Sequence, residues 1–363
     1  MNNDLKSAER IVISRQTIGA APPFPVPCSL FPVPCSLRYT ECMHSHPFRY
    51  RAVTSTAEAD SALASSAAAP LGGGTDLLTM IHEGLTAPGE LVDLRRIVRS
   101  DTIEVHDQSL HVGGSARIAD LARHAEVRTL WPAFADACAA VGTPALREMG
   151  TLGGNLCQRP RCWYFRRGIS CLKNGGSDCP AASGENQYHA ILEGGPCFIV
   201  HPSDPAVALV ALDAHIEIRG AGQSRNVPAE SFWVLPSERL DAETVLAHNE
   251  YVSGVSIPTA SANGTQFYQK LMQRATWDFA LVSIAAVRRA DGDVRMVLGG
   301  VAPRPWRVPR SIEEDVSSGG IDEDSAAALA SRAMLDAKPL ARNGYKIRLA
   351  ETLLRRAMVQ LGA

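Results

Sequence analysis

The chain carries the alternation typical of strands and the spacing typical of helices in separate segments. Residues 102–113 (TIEVHDQSLHVG) alternate apolar and polar side chains around a polar turn, which predicts a β-hairpin. Further strands are predicted at 91–94, 215–219, 265–272, 282–287 and 294–298, with Asp291 and Gly292 as the turn between the last two.

Helical spacing appears at 54–66, 116–127, 131–141, 322–336 and 344–361. In the last of these segments, apolar side chains recur at Ile347, Ala350, Leu354, Met358 and Leu361. The mixture of helices and strands predicts an α+β protein. A change of composition near Pro258 predicts a boundary between a first domain at 43–258 and a smaller one at 259–363.

Residues 1–42 show neither the alternation typical of a strand nor the spacing typical of a helix. Six of the 23 prolines of the chain lie between Pro22 and Pro34, and the heptapeptide FPVPCSL occurs twice in tandem. Proline removes a backbone donor, so this segment cannot form a regular ladder of hydrogen bonds. We predict a disordered Pro-rich extension over 1–42. It is either foreign to the native protein, with Met43 as the native first residue, or a proline-rich docking arm.

The balance of charge argues against two classes of protein. The 363 residues include 36 Lys and Arg against 38 Asp and Glu, which leaves a formal charge of −2. No field of one sign would steer the chain to nucleic acid or to an anionic membrane. No apolar run reaches the length of about eighteen residues that spans a bilayer, and the first residues show no signal peptide. We expect no nucleic-acid partner and no membrane span.

Two glycine-rich segments stand about eighty residues apart, LGGGTD at 71–76 and TLGGN at 151–155. Glycine lets the backbone come close to a bulky ligand and point its N–H groups in one direction, as a dinucleotide pyrophosphate requires. Neither segment has the order of a Rossmann fingerprint or a P-loop. Each alone also fits a simple turn, whereas together they fit two sides of one phosphate-containing cofactor.

Five of the nine cysteines fall within 157–197, in a stretch rich in Gly, Pro and Arg. We predict a Cys-rich insert at 157–200. Cys162, Cys171, Cys179 and Cys197 are the candidate ligands, because four thiolates satisfy one four-iron cluster. Cys157 is left out as a buried thiol. Zinc and a pair of disulfides remain as alternatives, although the spacing has no C-x2-C pair of a zinc ribbon.

The motifs LGGGTDLL, TLGGNL, HPSDPAVALVALDA and QFYQKLMQRATWDFALVSIA, followed by LGGVAP, resemble the FAD-binding medium subunit of the xanthine dehydrogenase family. The resemblance runs from about residue 48 to 361. It implies a two-part FAD-binding domain of the PCMH (vanillyl-alcohol-oxidase-like) type, followed by a C-terminal domain like that of CO dehydrogenase flavoproteins. The insert resembles those of aldehyde oxidoreductase flavoprotein subunits and of 4-hydroxybenzoyl-CoA reductase, which carry a [4Fe-4S] cluster besides FAD.

The resemblance also implies which residues contact the FAD, and no residue of this chain is expected to be catalytic. Simpler structural roles stay open for three of these residues: Asp204 as the cap of a helix over 205–212, Lys270 as a solvated strand residue, and Tyr268 as part of the core. The implied contacts are Leu71, Gly72, Gly73, Gly74, Thr75, Asp76, Thr151, Gly153, Gly154, Asn155, Asp204, Tyr268, Lys270 and Asp278.

A subunit of this kind is one part of an electron relay. The resemblance implies a small [2Fe-2S] subunit and a large molybdopterin subunit as partners, an aldehyde as substrate of the complex, and an external electron acceptor. A 4-hydroxybenzoyl-CoA reductase-type subunit, a stand-alone FAD-dependent dehydrogenase of the same fold and a zinc-bound scaffold are the alternatives. The chain is expected either in the periplasm, by export with a partner, or in the cytoplasm.

Overall fold

The computed structural model describes residues 47–262, 264–274 and 277–362. The Pro-rich extension predicted over 1–42 lies outside the described residues. Strands and helices are numbered below in chain order.

The first part of the chain forms a small three-stranded parallel sheet in the order β1-β3-β2, from β1 (Arg49–Ala52), β2 (Ala68–Leu71) and β3 (Glu90–Asp93). Helix α1 (Thr56–Leu63) follows β1 and begins where the Ser55 hydroxyl accepts a hydrogen bond from the Glu58 amide. Helix α2 (Leu77–His82) follows β2. The glycine loop therefore lies at the carboxyl end of β2.

The second part is a five-stranded antiparallel sheet in the order β4-β5-β8-β6-β7. Helices from the intervening chain pack against it through a core that contains Trp131, Phe134 and Phe232. The strands are β4 (Ile103–Val105), β5 (Ser109–Gly113), β6 (His215–Gly220), β7 (Gln223–Pro228) and β8 (Tyr251–Pro258). The helices are α3 (Ile118–Arg123), α4 (Ala125–Leu130), α5 (Pro132–Ala139), α6 (Pro144–Met149), α7 (Leu152–Leu156), α8 (Trp163–Arg166) and α9 (Asp204–Ala211).

The last part is a four-stranded antiparallel sheet in the order β12-β11-β10-β9. Its strands are β9 (Thr265–Leu271), β10 (Val282–Arg288), β11 (Val294–Gly299) and β12 (Trp306–Arg307), and its helices are α10 (Arg310–Ser317), α11 (Glu323–Ala333) and α12 (Tyr345–Gly362).

Strand β10 is apolar along almost its whole length because both of its faces are covered. Val282, Ile284 and Ala286 lie in the core shared with α11 and α12. Ala285 and Val287 lie in the core shared with α5 and α9. The C-terminal sheet is thus joined to the middle of the protein by a continuous apolar contact.

The structure confirms the α+β class, with two corrections to the predicted elements. The helix predicted over 116–127 is broken at His124, whose ψ of 122° lies outside the helical range, so α3 and α4 are separate. The segment TLGGN is a short helix rather than an open loop, because the Thr151 hydroxyl accepts the Gly154 amide at its first turn. The boundary near Pro258 stays a prediction.

Helix α12 offers a test of this packing. Leu354 is fully buried beneath the C-terminal sheet, so Leu354→Ala removes apolar contacts and leaves a cavity. We expect the free energy of unfolding to fall by about 2–5 kcal/mol in denaturant titration. The matched change Leu335→Ala removes a side chain that is 77% exposed, and it should change the stability by less than about 0.5 kcal/mol. Equal effects of the two variants would contradict the described core.

Candidate cofactor site

The glycine loop between β2 and α2 lies against the second glycine segment. A Cβ atom at Gly72 would come within 2.4 Å of the Thr151 hydroxyl oxygen. One at Gly73 would come within 1.8 Å of the Met149 carbonyl oxygen. Glycine is therefore required at Gly73 by the close approach of the two backbones and at Gly72 by the Thr151 side chain, in addition to any approach by a ligand.

The second segment is fixed to the rest of the protein by its own polar groups. The Gly153 amide donates to the Gly114 carbonyl. The Asn155 side-chain oxygen accepts a hydrogen bond of 2.6 Å from the Ser203 hydroxyl, and Ser203 also caps α9. The cap of this helix is thus Ser203, so the interpretation of Asp204 as the cap is wrong, and Asp204 stands in the first turn. Asn155 connects the glycine site to the start of that buried helix.

Three adjoining cavities follow these loops. The middle one, about 360 Å³, is lined by residues of both glycine segments, including Gly72–Asp76, Thr151, Gly154 and Asn155. It shares Gly72, Thr151 and Gly154 with a cavity of about 250 Å³ that reaches Tyr251. It shares Arg161 and Phe279 with a cavity of about 670 Å³ near the C-terminal sheet. The arrangement suits an elongated ligand held at its middle by the two loops.

Asp204, Tyr268 and Lys270 meet in one buried network at the edge of the largest cavity. Asp204 accepts hydrogen bonds from the Tyr268 hydroxyl at 2.9 Å and from Lys270 Nζ at 2.8 Å. Lys270 also donates to the Ala140 carbonyl. Burial raises the pKa of Asp204, and Lys270 opposes that rise. Lys270 is therefore a buried ion-pair partner, not a solvated strand residue.

The other two predicted acidic residues have different surroundings. Asp76 lines the middle cavity, but its carboxylate accepts from Arg161 at 2.5 Å, from Arg166 at 2.7 Å and from the Arg159 amide at 2.8 Å. It therefore ties the glycine loop to the Cys-rich insert. Asp278 lies at the edge of the largest cavity, where the backbone amides of Arg274 and Phe279 donate to it.

The four candidate ligand thiols of the insert lie in one neighbourhood, and none forms a disulfide. Burial raises the pKa of Cys162, and the nearby Cys179 and Cys171 add to the rise. Cys179 and Cys197 interact directly, which lowers the pKa of Cys179 and raises that of Cys197. In the described part of the chain, no three ligand-type side chains converge as a single metal ion would require.

The aromatic and basic residues of the insert make defined contacts. Phe165 is buried beside Cys162 and Cys171. Lys173 is also buried, and together with Arg159 it pairs with Glu243. The insert is thus fixed to the rest of the protein by carboxylates at two places, Asp76 and Glu243.

Two histidines of the largest cavity were given no role by the sequence. His201 is 5% exposed, and neither ring nitrogen has a hydrogen-bond partner among the described residues. Burial lowers its pKa to about 3, so its ring is neutral near pH 7. His189 places Nε2 3.2 Å from Cys162 Sγ, and burial and then Lys346 lower its pKa to about 4. The only indication of these two histidines in the sequence was that both stand close to the Cys-rich insert.

These features fit a flavin dinucleotide. The adjoining cavities have the elongated form of such a ligand, and the glycine backbones border the middle cavity where a pyrophosphate would lie. The unpartnered nitrogens of His201 provide polar groups in the wall of the largest cavity, and a buried polar group normally has a partner. Gly72, Gly73, Thr151 and Asn155 would hold the cofactor at its middle, with Asp204 and His201 at one end.

Comparison with known proteins identifies the class. Residues 46–260 match the family model of the FAD binding domain in molybdopterin dehydrogenase, and residues 267–361 match that of the CO dehydrogenase flavoprotein C-terminal domain. The chain therefore belongs to the family of FAD-binding medium subunits of the molybdenum hydroxylases. It is a flavoprotein subunit of the oxidoreductase class, which confirms the predicted FAD and the family resemblance.

Individual relatives agree with this assignment. The aldehyde oxidoreductase FAD-binding subunit PaoB of Escherichia coli (strain K12) is 35% identical over 87% of this chain and 98% of its own length. The carbon monoxide dehydrogenase medium chain of Hydrogenophaga pseudoflava is 27% identical over 72% of this chain and 77% of its own. A solved carbon monoxide dehydrogenase structure from the same organism shares the fold, with a TM-score of 0.67, 24% identity, and 86% and 96% coverage.

The predicted contacts of individual residues with FAD stay predictions, as do the four cysteine ligands. Among the described residues, no helix is long and apolar enough to cross a membrane.

The close approach of the two glycine segments can be tested at Gly73. In Gly73→Ala the new methyl group would meet the Met149 carbonyl and separate the loops. We expect at least about a tenfold loss of FAD affinity, or ~1.4 kcal/mol, measured by flavin fluorescence on titrating apoprotein. Gly344→Ala is the control, because its nearest contact would be 3.9 Å away. Unchanged affinity in Gly73→Ala would contradict this description of the site.

The Lys270–Asp204 pair can be tested by a double-variant cycle. Lys270→Met leaves a buried carboxylate without its counterion, and we expect the free energy of unfolding to fall by about 3–5 kcal/mol. Adding Asp204→Asn removes that carboxylate charge and should restore part of the loss. Denaturant unfolding of the four proteins measures the coupling, and additive effects would show that the pair does not interact.

Proposed function

We propose that this protein is the FAD- and [4Fe-4S]-containing electron-transfer subunit of a heterotrimeric molybdenum-dependent aldehyde dehydrogenase. A small [2Fe-2S] subunit and a large molybdopterin subunit complete the complex, and electrons leave through the FAD to an external acceptor. A bound flavin exchanges electrons in pairs or singly, so it connects two-electron chemistry with one-electron carriers.

The observation that carries the proposal is the position of the insert beside the cofactor cavities. Cys162 lines the largest cavity together with Asp204 and His201. Arg161 borders both this cavity and the one formed by the glycine segments, and it pairs with Asp76 of the glycine loop. A redox group held by the insert would therefore be a neighbour of a flavin held by the loops.

The donor set suits an iron–sulfur cluster. Cys162, Cys171, Cys179 and Cys197 supply four thiols, the ligand number of a [4Fe-4S] cluster. These four thiols would hold a cluster of several irons, so they would not have to converge on one point as the ligands of a single ion do. The rings of Trp163 and Tyr164 contact that of His189, whose Nε2 lies 3.2 Å from Cys162 Sγ.

The relatives support the rest of the proposal. PaoB is named as the FAD-binding subunit of an aldehyde oxidoreductase, and the medium chain of a glyceraldehyde dehydrogenase from Sulfolobus acidocaldarius is 24% identical over 74% of this chain. Both names refer to aldehyde-oxidising enzymes, and "medium chain" refers to a complex with further chains. We infer the same substrate class and assembly for this protein.

The first experiment is to purify the protein without oxygen and record its absorption spectrum with its iron, sulfide and FAD contents. We expect a flavin band, a broad iron–sulfur shoulder and about four irons per chain. A flavin band with zinc or no metal would overturn the cluster. A colourless protein would overturn both cofactors. Co-purification of two further chains from a co-expressed operon would support the heterotrimer, and isolation as a single chain would contradict it.

The four-ligand assignment can be tested with Cys171→Ser and Cys179→Ser. Each change removes one thiolate, so we expect most of the iron to be lost while FAD is retained at the separate glycine site. Cys157→Ser is the matched control, since Cys157 lines the loop cavities rather than the cluster of thiols, and its iron content should be that of the wild type. Unchanged iron in Cys171→Ser or Cys179→Ser would remove that residue from the ligand set.

A further inference from the structure

Lys346, in the first turn of α12, is fully buried. Its Nζ atom lies 2.8 Å from the Tyr188 carbonyl oxygen, 3.1 Å from that of His189 and 2.8 Å from that of Gly300. It forms no ion pair with a carboxylate of the described residues. A lysine with no solvent and no counterion is rare, because burying a charge costs several kcal/mol unless it is compensated.

The three contacts define the charge state of Lys346. Three carbonyl oxygens can all accept hydrogen bonds only if the nitrogen carries three N–H donors, as the ammonium does. Burial lowers the pKa of Lys346 to about 7. The carbonyl dipoles favour the charged form and oppose this effect, so we assign the ammonium. The protein therefore holds a buried positive charge that its own described side chains do not neutralise.

This charge lies behind the wall of the largest cavity. Tyr188, His189 and Gly300, the three residues whose carbonyls bind Lys346, all line that cavity. The ring of His189 in turn lies against Cys162, with 3.2 Å between Nε2 and Sγ. Only one residue thus separates Lys346 from a thiol that the proposed function assigns to the cluster.

We propose that Lys346 is the built-in countercharge of the iron–sulfur group: its ammonium holds His189 against Cys162 and raises the reduction potential of the group that Cys162 binds. This inference rests on the proposed function. Four thiolates make such a group anionic, and reduction adds one more negative charge. A nearby buried cation stabilises the reduced form more than the oxidised form, because the reduced form carries the additional negative charge. The attraction is strong because solvent screens a buried cation little.

A purely structural role is the competing explanation, and the chain offers a control for it. Asn343 is also fully buried, and its amide nitrogen donates to the carbonyls of His189 and Ala190 at 3.1 Å each. It holds the same segment without a charge. Asn343→Ala should therefore loosen the segment as Lys346→Met does, but leave the countercharge in place.

The test measures the reduction potentials of the cluster and the flavin in the complete protein, by redox titration followed by electron paramagnetic resonance and absorption. Lys346→Met and Lys346→Gln remove the charge, and Gln keeps two N–H donors so that the segment can still fold. We expect both to disfavour one-electron reduction of the cluster by about tenfold, a shift of ~59 mV to lower potential. Asn343→Ala and the exposed-site control Lys338→Met should leave the potential unchanged.

The iron and FAD contents distinguish a failure of the proposed cluster from a failure of the proposed role of Lys346. A wild-type protein without iron would refute the proposed cluster itself. A wild-type protein with about four irons per chain, and a Lys346→Gln variant with the same iron and an unchanged cluster potential, would overturn the role of Lys346 alone. A shift of the flavin potential without one of the cluster would also overturn it, as would equal shifts in Lys346→Gln and Asn343→Ala.

Discussion

The cofactor site depends on the contact between two backbones, that of the glycine loop at 71–76 and that of the segment at 149–155. At Gly73 no side chain fits, since even a methyl group would overlap the Met149 carbonyl. The contact brings the carboxyl end of β2 against the helical turn of α7, and the middle cavity opens between them. The smaller and the larger cavity extend from this point in two directions.

The largest cavity is built by the second and the last part of the chain, so its polar groups come from elements far apart in sequence. Asp204 stands at the start of α9, whereas Tyr268 and Lys270 come from β9 of the C-terminal sheet. Burial of the pair is possible because each charge has its partner and each hydrogen bond is made. This network joins the FAD-binding domain to the C-terminal domain at the place where the cavity needs a fixed wall.

The sequence predicted those features that are local. Glycine clusters, cysteine spacing and the apolar stripe of α12 are visible within a few residues, and the family resemblance supplied the cofactor. The partners of Asp76 were not predictable, because Arg161 and Arg166 lie 85 and 90 residues away in the sequence. An ion pair between such distant residues leaves no pattern in the sequence. The break at His124 was also missed, since apolar spacing continues across it and only the backbone angle interrupts the helix.

The C-terminal domain contacts the Cys-rich insert, although the contacting residues lie more than 150 positions apart in the sequence. Asn343 and Lys346 bind the backbone of 188–190, and Asn186 accepts the Arg342 amide. The start of α12 and the turn just before it therefore hold the end of the Cys-rich insert. On the other side, Asp76 and Glu243 hold the arginines and the lysine of the same insert. The two sets of contacts differ in kind: Arg159, Arg161, Arg166 and Lys173 of the insert contact carboxylates, whereas the ammonium of Lys346 meets only carbonyl dipoles. Lys346 is therefore a buried cation of this neighbourhood that has no carboxylate partner among the described residues, and an anionic redox group is what it would complement.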